Sequence, residues 1–184
     1  MQVTLVHIGS RGGAKDGYES LVGGYLARCS GAMRSASEVF RSEDAFLAWI
    51  DRQRGRTGIA LMLLDARGKT MPSESLAEWL GQERDKGTQH VVFAVGPADG
   101  WSEAARTEGK RRGSLLSLGP MTLAHQLARL VMAEQIYRAS TILTGHPYHR
   151  GEKAKTEALP RSEPVASAKE VPRAGLRGVL LKKE

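Results

Sequence analysis

The sequence predicts an α/β fold with a mostly parallel sheet. Two short runs, Ile59 to Asp65 and His90 to Val95, are almost entirely apolar, which is typical of strands covered on both faces. Strand-like and helix-like segments alternate through the first 150 residues, as in layered α/β proteins. Glycines also follow three of the predicted strands, at Gly9, Gly96 and Gly119.

The elements of the first half follow from periodicity and capping. Apolar residues three and four positions apart predict helices, short β-rich runs predict strands, and Ser42 is a suitable N-cap for the second helix. The predicted elements are a strand over Val3–Ile8, a helix over Asp16–Cys29, a strand over Ala36–Phe40 and a helix over Glu43–Arg54.

The second half continues the alternation. Ser73 is the predicted N-cap of the third helix, and glycine ends the next strand. The predicted elements are a strand over Ile59–Asp65, a helix over Glu74–Lys86, a strand over His90–Val95, a helix over Trp101–Arg112, a strand over Leu115–Leu118 and a long helix over Thr122–Leu143.

The long helix is apolar over more than one face. Such a helix is buried on several sides. Because one small sandwich can hardly cover the stretch Arg129 to Tyr137, we expect a homodimer. Glu134 and Arg138 are four residues apart on this helix and can form an ion pair.

Composition and charge restrict the class of protein. The 184 residues hold 27 Lys and Arg against 20 Asp and Glu, a net charge of +7, which favours a polyanionic partner, nucleic acid first. Cys29 is the single cysteine, so neither an intrachain disulfide nor a cysteine-based metal site is expected.

The longest apolar run has six residues, Ile59 to Leu64, too short for a membrane span. With no secretion signal recognisable, we expect a cytoplasmic protein.

The composition changes after residue 150. Residues 151–184 contain no aromatic residue, three of the seven prolines, and scattered charges with a basic excess. Such a segment buries too little apolar surface to fold. We therefore predict a domain over residues 1–150 and a disordered basic tail over 151–184, which is either a dispensable extension or an arm that tethers RNA.

Three loops after predicted strands are candidate binding sites. The turn Gly9 to Gly13 could hold a phosphate, but it matches no nucleotide-binding pattern, so a plain turn is favoured over a nucleotide-dependent enzyme. The loop Gly96 to Gly100 lies where ligands bind in open α/β sheets, and a β-carbon at Gly96 is expected to intrude on such a ligand. The segment Ser117 to Leu123 offers backbone groups and an apolar wall, which suit a flat neutral group such as adenine.

The segment His146 to Arg150 follows the long helix. Its H-x-x-H spacing lacks further ligands for zinc, so no metal is expected. Imidazoles, a phenol and a guanidinium suit RNA better, because arginine pairs with phosphate and aromatic rings stack on bases. A polar helix end is the simpler alternative.

The motifs of the second half resemble those of the ribosomal RNA large subunit methyltransferase H family, bacterial pseudouridine N3-methyltransferases of the SPOUT superfamily. Leu64-Asp65 with Gly68-Lys69 is similar to the family's strand end L-[DE]-x-x-G-K. The family order of loop, L-S, M-T-[LF]-x-H-Q, R-x-x-x-x-E-Q-x-Y-R-A and H-x-Y-H-R is matched at Gly96–Gly100, Leu116-Ser117, Met121 to Gln126, Arg129 to Ala139 and His146 to Arg150.

The resemblance implies an α/β sandwich whose C-terminal segment threads a loop in a trefoil knot. It also implies a homodimer, with the site completed by the second subunit's C-terminal residues, and a pseudouridine of 23S rRNA on the assembled ribosome as substrate. The implied cofactor is S-adenosylmethionine. The positions that would contact it are Leu64, Gly96, Leu118, Gly119, Pro120, Met121, Thr122 and Leu123.

The resemblance also implies the residues of the chemical step. His149 is the first candidate to assist loss of the N3 proton, followed by Glu134. Arg138 and Arg150 would hold a phosphate or a base carbonyl, and Tyr148, His149 and Arg150 would contact RNA. The chain departs from the family at Pro97, which lacks a backbone N–H, and in its tail. The alternative function is a non-catalytic RNA-binding module of the same fold.

Overall fold

The computed structural model describes residues 1–10, 12–13, 17–29, 33–54 and 58–149, with the side chain of His149 outside that description. These residues form an α/β sandwich of five strands and five helices followed by a short 3₁₀ turn. The elements are β1 (Gln2–Ile8), α1 (Gly17–Arg28), β2 (Arg34–Phe40), α2 (Glu43–Arg54), β3 (Ile59–Lys69), α3 (Ser73–Asp85), β4 (His90–Val95), α4 (Glu103–Arg112), β5 (Ser114–Leu116), α5 (His125–Leu143) and the 3₁₀ turn Pro147–His149.

The sheet has the strand order β2-β1-β4-β3-β5, and all four strand pairings are parallel. Its centre is β4, in which all six residues are buried. Residues of α1, α3 and α5 pack on one face of the sheet, and residues of α2 and α4 pack on the other. The predicted parallel α/β architecture is thus confirmed, and it brings the carboxyl ends of β3, β4 and β5 to one edge of the sheet.

Strand β3 is longer than predicted and curls around the end of β5. Both Leu64 and Lys69 are paired with Leu116, and the Ser117 N–H donates to the Lys69 carbonyl at 3.0 Å. A β-carbon at Gly68 would lie 2.6 Å from the Leu116 backbone, so this close crossing requires glycine. The sequence did not predict this extension, because the residues after Leu64 are mostly polar. The trefoil knot that the resemblance implies stays a prediction.

The helix starts differ from the prediction at three places. Ser42 caps α2 as predicted, with its Oγ accepting from the Ala45 N–H at 3.2 Å. Ser73, however, is the first residue of α3 rather than its cap, and its hydroxyl donates to Gln135 instead. Helix α4 begins after an N-cap at Ser102, which leaves Trp101 outside it.

The third difference is in α5, which begins at His125 and not at Thr122. Its N-cap Ala124 has φ −57° and ψ 142°, so the chain is extended just before the helix. Thr122 and Leu123 therefore lie in the connection that leads from β5, where they are available to line a cavity.

A single chain buries most of the inner face of α5. Met132, Ala133 and Ile136 are fully buried, so the argument that one sandwich cannot cover this stretch is wrong, while the homodimer itself stays a prediction. The exposed large apolar side chains of the described residues are Tyr18, Leu21, Met121, Leu127 and Tyr148. None of the described helices is both long enough and apolar enough to cross a membrane.

Candidate active site

A cavity of about 370 Å³ opens where β3, β4 and β5 end. We call it the strand-end cavity. Three segments that are far apart in sequence line it, residues 64–67 of β3, 95–101, and 116–123 without Pro120. Arg106 of α4 and His125 and Ala128 of α5 also line it. Ligands of open α/β sheets bind at this edge, and the volume lies in the usual range for small-molecule sites.

The structure gathers most of the predicted cofactor residues in this cavity. Two loops that were singled out separately in the sequence face each other there. The predicted residues that line it are Leu64, Gly96, Leu118, Gly119, Met121, Thr122 and Leu123. Pro120 belongs to the same segment but is not among the lining residues.

A compact turn shapes the β5 side of the cavity. The Ser117 hydroxyl donates to the Gly119 carbonyl at 3.0 Å and accepts from the Gly119 N–H at 3.2 Å. Gly119 has a φ of +132°, a conformation that residues with a β-carbon rarely adopt. The turn therefore depends on Gly119.

Trp101 holds the β3 and β4 sides of the cavity together, and the sequence analysis did not single it out. Its indole N–H donates to the Leu64 carbonyl at 2.9 Å, and its side chain is buried. A β-carbon on Gly96 would lie 2.9 Å from the indole ring. A β-carbon at Gly96 would therefore collide with Trp101, and its intrusion on a bound ligand stays a prediction.

Charged side chains at the rim of the cavity form hydrogen bonds and ion pairs with one another and with the backbone of its walls. The Asp65 carboxylate accepts from the Arg67 N–H at 2.8 Å and lies 3.5 Å from Arg106. Arg106 also donates to the Trp101 carbonyl and pairs with Glu103 at 2.8 Å. These groups fix the shape of the cavity, so its capacity to bind comes from backbone groups and apolar side chains.

A second group of predicted residues lies together elsewhere on α5. In this group, which we call the Glu134 cluster, one carboxylate oxygen of Glu134 accepts from Arg138 at 2.8 Å and from the Tyr148 hydroxyl at 3.1 Å. The Arg138 guanidinium also lies 5.2 Å from the centre of the Tyr148 ring. The predicted Glu134–Arg138 pair is confirmed.

Hydrogen bonds from neighbouring side chains extend the Glu134 cluster, and its environment shifts the pKa of Tyr148. The other oxygen of Glu134 accepts from Gln135 at 2.7 Å, and Gln135 accepts from the Ser73 hydroxyl at 2.6 Å. Burial, followed by the hydrogen bond to Glu134 and its charge, raises the pKa of Tyr148. The phenol therefore stays protonated and remains a donor to Glu134. The side chain of His149, and Arg150 as a whole, lie outside the described residues.

The strand-end cavity and the Glu134 cluster lie at different points along α5. Ala128 is the last residue of α5 that lines the cavity, and Glu134 follows six residues later. At 1.5 Å per residue this separates the two positions by about 9 Å along the helix axis. None of the three residues of the Glu134 cluster lines the strand-end cavity.

The structure offers less support for the other two candidate sites, the turn after β1 and a metal site. The turn after β1 lines a neighbouring cavity of about 580 Å³, which shares Pro97, Ala98 and His125 with the strand-end cavity, and nothing in its geometry selects a nucleotide. Among the described residues, no group of three His, Cys, Asp or Glu side chains is arranged to hold a metal ion.

Comparison with known proteins gives one consistent family. The family model described as predicted SPOUT methyltransferase matches residues 1–149. A ribosomal RNA large subunit methyltransferase H of Koribacter versatilis is 45% identical over 151 residues, which cover 82% of this chain and 99% of that protein. A protein of the same name from Brucella anthropi is 50% identical over 93 residues, which cover 50% of this chain and 56% of that protein.

A further protein with this name, from Pelobacter propionicus, is 50% identical over 92 residues, which cover 50% of this chain and 58% of that protein. The long match to the Koribacter protein and the family match over residues 1–149 include both the strand-end cavity and the Glu134 cluster. This chain belongs to the SPOUT methyltransferase family.

Proposed function

We propose that this enzyme uses S-adenosylmethionine to methylate N3 of a pseudouridine in 23S rRNA of the assembled ribosome. The observation that carries the proposal is the strand-end cavity, lined by seven of the eight positions that the family resemblance assigns to the cofactor. The name of the similar proteins supports ribosomal RNA of the large subunit as substrate. We therefore also propose that the enzyme works in the cytoplasm.

The strand-end cavity suits S-adenosylmethionine by its chemistry. Leu118, Met121 and Leu123 offer apolar surface to an adenine ring, and the loop ends offer backbone donors and acceptors. Pro97 provides no N–H, but its carbonyl accepts from the Gly100 N–H at 2.9 Å, so the loop is still closed by a turn. When bound, the cofactor supplies a methyl group that is already activated by its positive sulfur.

The site we propose is completed by a second copy of the chain. None of the three residues of the Glu134 cluster lines the same chain's cavity, and Glu134 lies six residues beyond Ala128, the last residue of α5 that does. In a two-fold dimer the same patch of each copy contacts the other, so one cluster can face the other cavity. Tyr18, Leu21 and Leu127 form exposed apolar surface on the neighbouring helices α1 and α5 that such a contact would cover.

The protein's own residues would position the base and direct its proton. Rate acceleration comes from holding N3 in line with the methyl group. The bound cofactor would supply the methyl carbon and keep the electrons of its carbon–sulfur bond, while N3 would give up its proton to an acceptor on the protein. We assign acceptance of this proton to Glu134 or His149, and the orientation of a phosphate or base carbonyl to Arg138 and Arg150. Tyr148, His149 and Arg150 would contact the RNA.

Methylation of purified ribosomes from a strain that lacks the modification tests this proposal. We expect transfer of one labelled methyl group per ribosome to N3 of a pseudouridine in 23S rRNA. Calorimetric titration is expected to show binding of S-adenosylmethionine and no binding of NAD or ATP. Binding to ribosomes without methyl transfer would instead support a non-catalytic RNA-binding module, for which the departure at Pro97 is the specific argument.

A further inference from the structure

An arginine at the C-terminal end of α1 lies against two tyrosine rings from different helices. The guanidinium carbon of Arg28, the last residue of α1, is 4.5 Å from the centre of the Tyr25 ring and 4.8 Å from the centre of the Tyr137 ring. The Arg28 Nε–H also donates to the Gly24 carbonyl at 3.1 Å. These three contacts fix the position of the guanidinium.

One tyrosine connects Arg28 to the Glu134 cluster. The ring of Tyr137 is in edge contact with the ring of Tyr148, and the two ring centres are 4.8 Å apart. The Tyr148 hydroxyl in turn donates to Glu134, a candidate acceptor of the N3 proton. Arg28 therefore lies next to the residues proposed for the chemical step, although it is far from them in sequence and outside every motif of the family resemblance.

The groups that hold Arg28 are all neutral. Seven other arginines form ion pairs with carboxylates: Arg67, Arg84, Arg106, Arg111, Arg112, Arg129 and Arg138. Arg28 pairs with none of the carboxylates in the described part of the chain, and its contacts are two phenol rings and one peptide carbonyl. Its residue is exposed, so the structure presents a fixed positive charge to solvent.

The two rings leave one side of the guanidinium open. The centres of the Tyr25 and Tyr137 rings are 6.0 Å apart. Rings on opposite sides of the guanidinium would be nearly twice as far from each other as each is from Arg28, so these two rings lie on adjacent sides. The terminal nitrogens of Arg28 form no hydrogen bond to any residue that the structure describes. They are therefore available to a ligand.

The open side of Arg28 suits a phosphate. The two terminal nitrogens of an arginine form a planar fork that matches two oxygens of one phosphate group. Ribosomal RNA carries one phosphate per nucleotide, so the pseudouridine would reach Glu134 on a chain of such groups. The net charge of +7 also favours a polyanionic partner.

The proposed dimer would place Arg28 at the edge of the contact between the two copies. Tyr18 and Leu21 are the exposed apolar residues of α1 that the second copy would cover. Arg28 follows Leu21 by seven residues, or two turns, so it lies on the same face of α1 about 10 Å further along the helix axis. This end of α1 is the one that contacts Tyr137, beside the Glu134 cluster.

We propose that Arg28 binds a phosphate of the 23S rRNA next to the pseudouridine, and that Tyr25 and Tyr137 are the positioning residues that hold its guanidinium. This proposal rests on the proposed function, since it takes ribosomal RNA as the substrate. It adds to the RNA-facing residues at the end of α5 a cation from the first helix of the chain.

Equilibrium binding of the full chain to ribosomes that lack the modification tests the phosphate contact. Arg28→Met removes the charge and keeps a side chain that can pack on both rings, whereas Arg28→Lys keeps the charge. We expect the methionine variant to bind ribosomes about tenfold more weakly, as for loss of a charge-assisted contact, and the lysine variant to recover most of this loss. Arg52→Met is the matched control, because Arg52 is also exposed in the last turn of a helix, and it should bind like the wild type.

The dependence of ribosome affinity on salt counts the phosphate contacts. Each contact adds about 0.7 to 0.9 to the slope of log affinity against log salt concentration. With KCl varied at constant Mg²⁺, we expect a slope that is smaller by about this amount in Arg28→Met and unchanged in Arg28→Lys. An unchanged slope in Arg28→Met, or equal affinities of the two variants, would overturn the proposal, because a packing role does not depend on charge.

Single-turnover methylation and sedimentation separate phosphate binding from two other roles of Arg28. At saturating ribosomes, Arg28→Met should keep kcat and the Kd of S-adenosylmethionine within about twofold of the wild type, and it should keep the same oligomeric state. A fall in kcat with normal ribosome affinity would mean that Arg28 only positions Tyr148. Dissociation of a wild-type dimer into single chains would mean that Arg28 binds the second copy. Either result would overturn the proposal.

Failure of the proposed function would be distinguishable from failure of this inference. If the wild-type chain transfers no methyl group to ribosomes, the proposed function fails. The affinity of the variants for ribosomes and its salt dependence would still decide whether Arg28 contacts a phosphate.

Discussion

The strand-end cavity and the Glu134 cluster are built in opposite ways. The cavity is assembled from three segments that are far apart in sequence, and its walls are backbone and apolar groups held by Trp101 and glycines. The cluster comes from one helix and the turn that follows it, and it consists of a carboxylate, a guanidinium and a phenol. The first construction suits binding of a cofactor, and the second suits handling of charge.

This difference indicates which charged groups are available for the chemical step. The charged groups that line the cavity, such as Asp65 and Arg106, are engaged in holding its loops. The groups suited to proton transfer belong to the Glu134 cluster, whose residues do not line the cavity. The proposed division of roles between two copies of the chain would join them, and the variants below should separate binding from turnover.

The largest effect is expected for Glu134→Gln. This change removes the charge that pairs with Arg138 and the candidate acceptor of the N3 proton. We expect kcat to fall about 100-fold or more, as for loss of a general base, and the Kd of S-adenosylmethionine to change by less than about threefold. Single-turnover methylation and calorimetry measure the two quantities.

The control is Glu78→Gln, which makes the same charge change on the exposed face of α3 and should leave both quantities as in the wild type. An equal loss of cofactor affinity in Glu134→Gln would contradict the separation of roles.

Arg150→Ala is expected to lower kcat/KM on ribosomes about 10- to 150-fold, if a charge-assisted contact is lost in the transition state. Removal of residues 151–184 should leave most activity, because their composition does not suit a packed site. The two proteins are compared by initial rates on the same ribosomes. A silent Arg150→Ala together with an inactive truncated chain would move the RNA contact into the tail.

Trp101→Phe should have a smaller effect, and on the binding side only. It leaves the buried Leu64 carbonyl without its donor at the wall of the cavity. We expect the Kd for S-adenosylmethionine to rise about three- to thirtyfold, with kcat at saturating cofactor unchanged. Trp49→Phe is the matched control, because Trp49 contacts aromatic rings of the α2 side, away from the cavity. A normal Kd in Trp101→Phe would mean that this bond does not shape the site.

Acid is expected to give the smallest effect. Burial lowers the pKa of His7, His90 and His125, so the folded state favours the neutral rings. Their contribution to stability is complete above pH 6.5, the ordinary histidine value, and is lost as the pH falls through their lower folded-state values. Urea unfolding at pH 7.5 and pH 5 measures the change in the free energy of unfolding, which should decrease. The decrease should be smaller in His90→Asn, and an increase in stability at pH 5 would contradict this account.

The order of the helices and strands could be predicted from the sequence, because hydrophobic periodicity and the positions of glycines are local signals. The sequence also singled out the two loops that line the strand-end cavity as candidate binding sites, since both follow predicted strands. It could not predict Trp101 or the buried Arg129, because their partners, the Leu64 carbonyl and Glu19, are distant in sequence. The late start of α5 was also not predicted. The apolar residues before it resemble a helix face in sequence, but in the structure they line a cavity.

The central claim is that one copy's cavity works with the other copy's cluster. Two inactive variants test it: Gly119→Val, which requires a strained backbone at φ +132° in the cavity, and Glu134→Gln in the cluster. Co-expression with two different affinity tags yields the mixed dimer, whose methylation of ribosomes is then measured against each parent. A shared site predicts about half of the wild-type activity per dimer, because one intact cavity meets one intact cluster. A mixed dimer as inactive as both parents would contradict the claim.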